Sequence, residues 1–365
     1  MSVRPIPAAD AIARLAEFDA VIDARSEAEY AEDHLPHAIN WPSLDNAQRH
    51  EVGTLYKQVN PFEARKRGAA LVAANIARHI EREVMDKPKD WKPLVYCWRG
   101  GQRSGALSLV LGQIGFQVHL VEGGYKAFRG ALLAELPALA GRLQYRVVCG
   151  PTGSGKTRLL QALQAAGAQV LDLEDLACHR SSVLGLIPGQ PQPTQKRFDT
   201  LVWEKLRSFD PARPVYVESE SRKVGNVAVP EALIEAMRAS PCLRLDLPED
   251  ERVQLLLEDY AFFRDDPDLF CDRLQALTQL RGREQVQAWQ QQVRAGDVEP
   301  VVRELLVKHY DPGYASSTER NFRQFGEARA IAPRDRSHVA MADLARELVV
   351  EGQEDQKALT QKPQK

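Results

Sequence analysis

Two short apolar runs mark the first third of the chain. FDAVIDAR at 18–25 and PLVYC at 93–97 are rich in β-branched residues and lack polar alternation, so both predict parallel strands buried on two faces. After Cys97 a Gly-rich turn leads into SGALSLVLGQIGF, with helical spacing, and then into QVHLVEGG, which reads as strand and turn. A long insert, about 42–91, lies between Trp41 and Trp91, and its GAALVAANIARHIEREV stretch has helical periodicity and good helix formers. The helical run ending at Glu135 meets Pro137 and a small-residue stretch up to Gly141, so a first domain is expected to span 1–136.

Beyond that break the pattern alternates. YRVVCG, AQVLDLE, PVYVESE, CLRLDLP and ARAIAP read as strands, separated by helical stretches from Lys156, around Phe198 to Arg207 and from Pro230. Such alternation predicts a parallel sheet with helices on both faces. From Glu249 onward the pattern is polar and helical, giving a helical lobe at about 249–325 within a second domain at 142–350. The end, 351–365, has almost no large apolar residues and is expected to be disordered. The fold class is α/β twice over.

Composition narrows this picture. A length of 365 residues exceeds one average domain. With 44% hydrophobic and 27% charged residues, and no apolar run near the ~18–20 residues that span a bilayer, a soluble protein without a membrane partner is expected. The N-terminus has no continuous apolar core of a secretory signal, so a cytoplasmic location follows. Five cysteines without CxxC spacing argue against a disulfide framework and a structural zinc site. A net charge of −2 gives no global pull toward nucleic acid. Local cations such as Arg65, Lys66 and Arg67 read most simply as a solvated helix face.

Two stretches carry chemistry. GPTGSGKT follows an apolar strand and opens a helix, the setting of a P-loop. Backbone N–H groups around Gly150, Gly153, Ser154 and Gly155 would cradle phosphate. Lys156 would reach the terminal phosphate and Thr157 would bind Mg²⁺. For a second acid on the metal, Glu218 in VYVESES is the first choice and Asp172 the second. A P-loop recognises a polyphosphate rather than a nucleoside, so its ligand stays open. The other stretch is CWRGGQRS. Cys97 ends a strand ahead of a helix, where loop N–H groups, the helix dipole, Arg99 and Arg103 would stabilise an anionic sulfur nucleophile. Cys149, Cys178, Cys242 and Cys271 read as inert.

The first half resembles the rhodanese family. VIDARSEAEYAEDHLPHAINWP carries that family's pattern through Asp23, Arg25, Glu29, His34, Pro36, Ala38 and Asn40, and YCWRGGQRS and VHLVEGG match its active loop and closing turn. The resemblance implies a rhodanese-like domain in which Asp23, Arg25 and Glu29 buttress the loop. Five residues separate Cys97 from Arg103, against four in the usual Cys-x-x-Gly-x-Arg, so the loop should admit a larger oxyanion. This Cys-x5-Arg spacing also suits a cysteine-dependent phosphatase.

Together with YKQVNPFEARKRGAAL, PGQPQPTQKRFD and VYVESESRKVGNVAVP, the two halves resemble the tRNA 2-selenouridine synthase family along nearly the whole chain. That resemblance implies two steps on wobble 2-thiouridine of tRNA: S-geranylation from geranyl diphosphate, then replacement of the S-geranyl group by selenium from selenophosphate through an S-selanyl group on Cys97. It implies no tightly bound organic cofactor and a selenophosphate-supplying enzyme as partner. Lys57, Arg65, Lys66 and Arg67 become candidate tRNA contacts, and an apolar groove is expected near the P-loop. Phe262, Phe263 and Phe270 are candidates to line it, although a packed core is the simpler role for them. An ATP-dependent tRNA sulfurtransferase with a Cys97 persulfide, a phosphatase fused to a kinase, and a nucleotide-gated scaffold are the competing readings.

Overall fold

The computed structural model describes residues 3–180, 185, 187 and 189–360. The chain divides into two compact units: Met1–Leu136 with Lys196–Glu204, and Pro137–Gln195 with Lys205–Lys365. Each is built on its own five-stranded, all-parallel sheet.

In the first unit the strands are β1 (Arg4–Ile6), β2 (Ala20–Asp23), β3 (Ala38–Asn40), β4 (Pro93–Tyr96) and β5 (His119–Val121), ordered β1-β5-β4-β2-β3. The expected buried run forms β4, the central strand, in which Leu94, Val95 and Tyr96 are wholly enclosed. Ile22, Val95, Leu107, Leu111, Trp41, Trp91 and Ile76 make one core. Ile76 comes from the insert, which folds as helices Asn46–Gln58 and Pro61–Glu83. Asp45 and Gln48 form a capping box at the first, and Asn60 caps the second ahead of a proline at its first turn.

The second unit contains β6 (Tyr145–Cys149), β7 (Gln169–Leu171), β8 (Val215–Glu218), β9 (Lys223–Val224), β10 (Val227–Ala228), β11 (Cys242–Leu245) and β12 (Arg329–Ile331). The sheet order is β12-β11-β6-β8-β7, with β9 and β10 as a separate antiparallel ribbon that the hydrophobic pattern did not predict. Helices Lys156–Ala165 and His338–Thr360 pack on this sheet through Leu159, Leu160, Leu163, Met341, Leu344 and Leu348. Helices between Glu249 and Asn321 form a lobe with its own core of Phe263, Phe270, Leu274, Trp289, Val293, Val301 and Leu305. Among the described residues no helix is long and apolar enough to cross a membrane.

Three local expectations need correction. Pro137 does not end a helix: Gly124–Arg142 runs through it. The stretch Lys196–Glu204, expected in the second domain, groups with the first unit. Its Thr200 donates to buried Asp33 at 3.0 Å, Trp203 donates to Glu135 at 2.9 Å, and Asp199 pairs with Arg129. The tail expected to be disordered continues the last helix as far as Thr360, while 361–365, like residue 188 of the PGQPQPTQKRFD stretch, lie outside the described residues.

The end of β2 is fixed by a buried charge network. Arg25, 1% exposed, donates through Nη2 to Asp23 and to the Asp33 carbonyl, each at 2.6 Å, and lies 4.0 Å from the centre of the Tyr125 ring. Tyr96 donates to Asp23 at 2.8 Å and Tyr125 to Asp33 at 2.7 Å. Burial opposes the charge of Arg25, but the hydrogen bonds and charge of Asp23 prevail and raise its pKa. Removing one partner leaves the other buried and uncompensated. Arg25→Ala is therefore expected to destabilise the first unit by about 3–5 kcal/mol in urea unfolding; a loss below about 1 kcal/mol, the scale of an exposed pair, would contradict it.

Candidate functional site

The first site lies at the C-terminal end of β4. Cys97, 3% exposed, follows directly on Tyr96. The loop then reaches helix Gln102–Ile114, whose first internal bond runs from Gly105 N to the Gly101 carbonyl at 2.9 Å. The N–H groups of Gln102, Arg103 and Ser104 precede that bond and have no helical acceptor. Ser104 Oγ donates to Cys97 Sγ at 3.0 Å. The closing turn is tight: a Cβ on Gly124, at φ +58°, would lie 2.2 Å from the Cys97 carbonyl oxygen. Tyr125 N donates to that same oxygen at 2.8 Å. Glycine there lets the turn press on the loop from behind.

The two arginines separate in role. Arg103 is turned to Glu29, with Nη1 at 2.6 Å and Nη2 at 3.3 Å from its carboxylate oxygens. Burial would lift the Glu29 carboxyl, but Arg103 outweighs it and holds Glu29 below the usual range. Arg103 is thus engaged by the Glu29 buttress rather than free to grip an oxyanion. Arg99 is exposed and, among the described residues, has no side-chain partner.

The second site lies at the end of β6, also a central strand. GPTGSGKT turns through Gly153 and Gly155, both at positive φ, into helix Lys156–Ala165. A Cβ on Gly150 would lie 2.4 Å from Ser154 Oγ, and one on Gly155 would lie 2.5 Å from the Met341 methyl. Lys156 Nζ donates to the Gly150 carbonyl at 2.6 Å. Ser154 Oγ is buried and, among the described residues, has no hydrogen-bond partner. Tyr314 accepts from Gly150 N–H, and burial pushes its hydroxyl up to about 12. Arg252 holds the loop from the lobe, donating to the Thr152 carbonyl at 3.0 and 2.8 Å and to Asp311.

The acids beside this loop are not arranged as the sequence suggested. Glu218, at the end of β8 and 2% exposed, accepts from the N–H groups of Leu173 (2.6 Å) and Glu174 (2.9 Å). It anchors the short helix Leu173–Leu176. Asp172 caps that helix by accepting from Asp175 N, and burial raises its carboxyl to about 6. The Thr157 hydroxyl instead donates to Glu174, at 3.3 Å. No cluster of three or more His, Cys, Asp or Glu able to hold a metal occurs among the described residues. Mg²⁺ keeps most of its waters and takes few protein ligands beside a phosphate, so the Thr157 and Glu174 oxygens fit it.

Two clefts meet the loop. One is narrow and apolar, with about 50 Å³ of free space, and has Thr152, Leu256, Tyr260, Phe263, Phe270 and Leu305 among its walls. The other is wider and of mixed character, and runs past Lys156, Thr157, Glu174, Arg180, Ser219 and Tyr314. They share Thr152, Leu256, Tyr260 and Tyr310. Phe263 and Phe270 therefore belong both to the lobe core and to a cleft wall, whereas Phe262 packs beside that core without lining the cleft.

The candidate RNA-binding cations lie on the insert of the first unit, where Arg67 bonds Glu51 at 2.6 Å and Lys66 pairs with Glu63 at 2.7 Å. Lys57 and Arg65 are exposed and, among the described residues, unpaired.

Comparison with known proteins agrees with both halves. A rhodanese-like domain matches residues 7–131, and the tRNA 2-selenouridine synthase AAA domain matches residues 143–268. Proteins named tRNA 2-selenouridine synthase are 34% identical over 244 residues in Sulfurovum sp. (strain NBC37-1), covering 66% of each chain. The identity is 35% over 244 residues in Nitrosomonas europaea, covering 66% of this chain and 63% of that one. In Cupriavidus necator it is 39% over 249 residues, covering 66% and 65%. The chain belongs to the tRNA 2-selenouridine synthase family. These matches span just under two thirds of the relatives' own length.

In this family member, sequence reasoning missed Ser104 and Glu174. Ser104 carried a signal, since the third residue of a helix that starts beside Cys97 faces back toward the loop. Glu174 carried less, because VLDLED offers three acids and only the turn after Asp172 decides which meets Thr157.

Glu218 supplies a test. Burial first, then the charges of Asp172, Glu220 and Glu174, push its carboxyl well above the usual range. A carboxyl whose folded pKa exceeds its unfolded value adds stability below the unfolded value, and that stability is lost as pH rises through the folded one. Glu218→Gln, which keeps the acceptor oxygen, is expected to raise the thermal midpoint of the second unit at about pH 8 and to bring no gain near about pH 4. A midpoint lowered at pH 8 would show that the anion itself is needed.

Proposed function

We propose that the chain acts as a tRNA 2-selenouridine synthase, exchanging the sulfur of wobble 2-thiouridine for selenium in two steps, geranylation and then selenation. The name that its relatives share supports the overall activity. The observation that carries the division of labour is the apolar cleft that opens onto the phosphate loop at Thr152. A phosphate cradle beside an apolar trough suits a diphosphate on a hydrocarbon tail, with the diphosphate on the loop and the geranyl chain along Phe263, Phe270 and Leu305.

In the first step the sulfur attacks the donor carbon, an S–C bond forms, the C–O bond to diphosphate breaks, and the uridine loses its N3 proton. Lys156 would leave the Gly150 carbonyl for the leaving diphosphate, and the loop N–H groups would stabilise the charge it gains. Arg252 and Tyr314 hold the loop in place for this. A Mg²⁺ ion, held by Thr157 and Glu174 with the diphosphate, would supply further neutralisation.

The second step belongs to Cys97. Selenium in selenophosphate is at the selenide level, so the exchange is redox-neutral overall: selenium bonds C2, geranyl thiol leaves, and water takes the phosphoryl group as phosphate. An S-selanyl group on Cys97 carries selenium two electrons more oxidised, and it enters the exchange only with an oxidant to form it and a thiol to return the electrons. Ser104 Oγ and the helix N–H groups would steady the anionic sulfur. The Cys-x5-Arg loop also suits a phosphatase, but Arg103 is committed to Glu29, which counts against it.

Cys97→Ala is expected to geranylate 2-thiouridine tRNA at the wild-type rate and to incorporate no selenium, whereas Lys156→Ala should slow geranylation about a hundredfold or more. Nucleoside mass spectrometry after incubation with each donor reads both. Unimpaired selenation by Cys97→Ala would sink the thiol assignment, and an absolute need for ATP would sink the diphosphate assignment.

A further inference from the structure

The two helices of the insert in the first unit are packed and capped, yet they hold apolar rings in water. Its two helices, Asn46–Gln58 and Pro61–Glu83, are tied by the Arg67–Glu51 bond, and a Cβ on Gly68 would already touch Val52 at 3.4 Å. The turn is pinned by Asn60, whose side chain accepts from the N–H groups of Phe62 and Glu63, each at 2.9 Å. Ala64, Gly68, Asn75 and Ile76 supply the buried face. Around the turn, Tyr56 is 58%, Val59 60% and Phe62 64% exposed.

More than half of each ring's surface lies outside the packing of the hairpin. Their neighbours are cationic: Lys66 Nζ lies 5.0 Å from the centre of the Phe62 ring, and Lys57 and Arg65 are exposed. Between 56 and 67 four cations face a single acid, Glu63, in a chain whose net charge is −2. Flat rings among cations on a packed helical hairpin match unpaired nucleobases, which offer a face to stack on, strung along a phosphate backbone. A paired helix hides its base faces, and an acidic protein surface would use the cations but not the rings.

We propose that this turn docks a single-stranded loop of the RNA substrate, with Tyr56 and Phe62 stacking on unpaired bases and Lys57 and Arg65 against the backbone. The proposal rests on the tRNA reading above. Fluorescence anisotropy of the full chain tests it with a labelled anticodon stem-loop RNA and a blunt RNA duplex of equal length. Tyr56→Ala/Phe62→Ala is expected to weaken stem-loop binding about tenfold or more and to leave duplex binding unchanged. Tyr56→Leu/Phe62→Leu, which keeps apolar bulk and guards against misfolding, should show the same selective loss. Lys57→Gln/Arg65→Gln should weaken both and flatten the salt dependence. Unchanged stem-loop affinity in both aromatic variants, or equal losses on the two RNAs, overturns the proposal. Wild-type protein that binds neither RNA removes the tRNA reading as well, whereas wild-type binding that all the variants preserve removes only this surface.

Discussion

Backbone crowding at two glycines governs both sites. Gly124 presses on the carbonyl of Cys97, and Gly150 on the Ser154 hydroxyl, each too closely for a Cβ. In each unit the loop comes off the middle strand of a five-stranded parallel sheet and runs into a helix. Parallel strands send their loops out at one edge, where the chain departs to either side and leaves a crevice. The helix N–H groups and dipole then favour an anion there. One loop adds a thiol to that setting and the other adds an ammonium.

The supports of the two loops differ in kind. Around Cys97 they are ionic and buried: Asp23, Arg25, Tyr96 and Tyr125 fix the end of β2, and Glu29 takes Arg103. Around Lys156 they come from the helical lobe, through Arg252 on the Thr152 carbonyl and Tyr314 on the Gly150 N–H. The lobe that braces the phosphate loop also supplies the apolar cleft wall. Changes in that wall should therefore alter both what binds and how the loop is held.

Much of this was legible in the sequence because it is local. Buried β-branched runs announced β2, β4, β6 and β8, and glycine spacing announced both loops. What was not legible depends on partners far along the chain. Arg103 meets Glu29 across 74 positions, and Leu173 meets Glu218 across 45. VYVESES shows an acid at a strand end but not that one of its oxygens accepts from the N–H groups of Leu173 and Glu174. The run 196–204 has ordinary helical periodicity, and partners distant in sequence, among them Arg129 for Asp199, Asp33 for Thr200 and Glu135 for Trp203, tie it to the first unit. Pro137 breaks helices on average, yet Gly124–Arg142 continues past it.

The proposed division of labour puts a prenyl diphosphate on the phosphate loop and its apolar cleft, apart from the thiol chemistry at Cys97. Calorimetric titration of the Cys97→Ala chain with geranyl diphosphate, inorganic diphosphate and ATP, each with Mg²⁺, tests this most directly. Geranyl diphosphate is expected to bind most tightly, inorganic diphosphate more weakly by the contribution of the tail, and ATP is expected not to displace the geranyl compound. Tight ATP binding that geranyl diphosphate fails to displace would contradict this division.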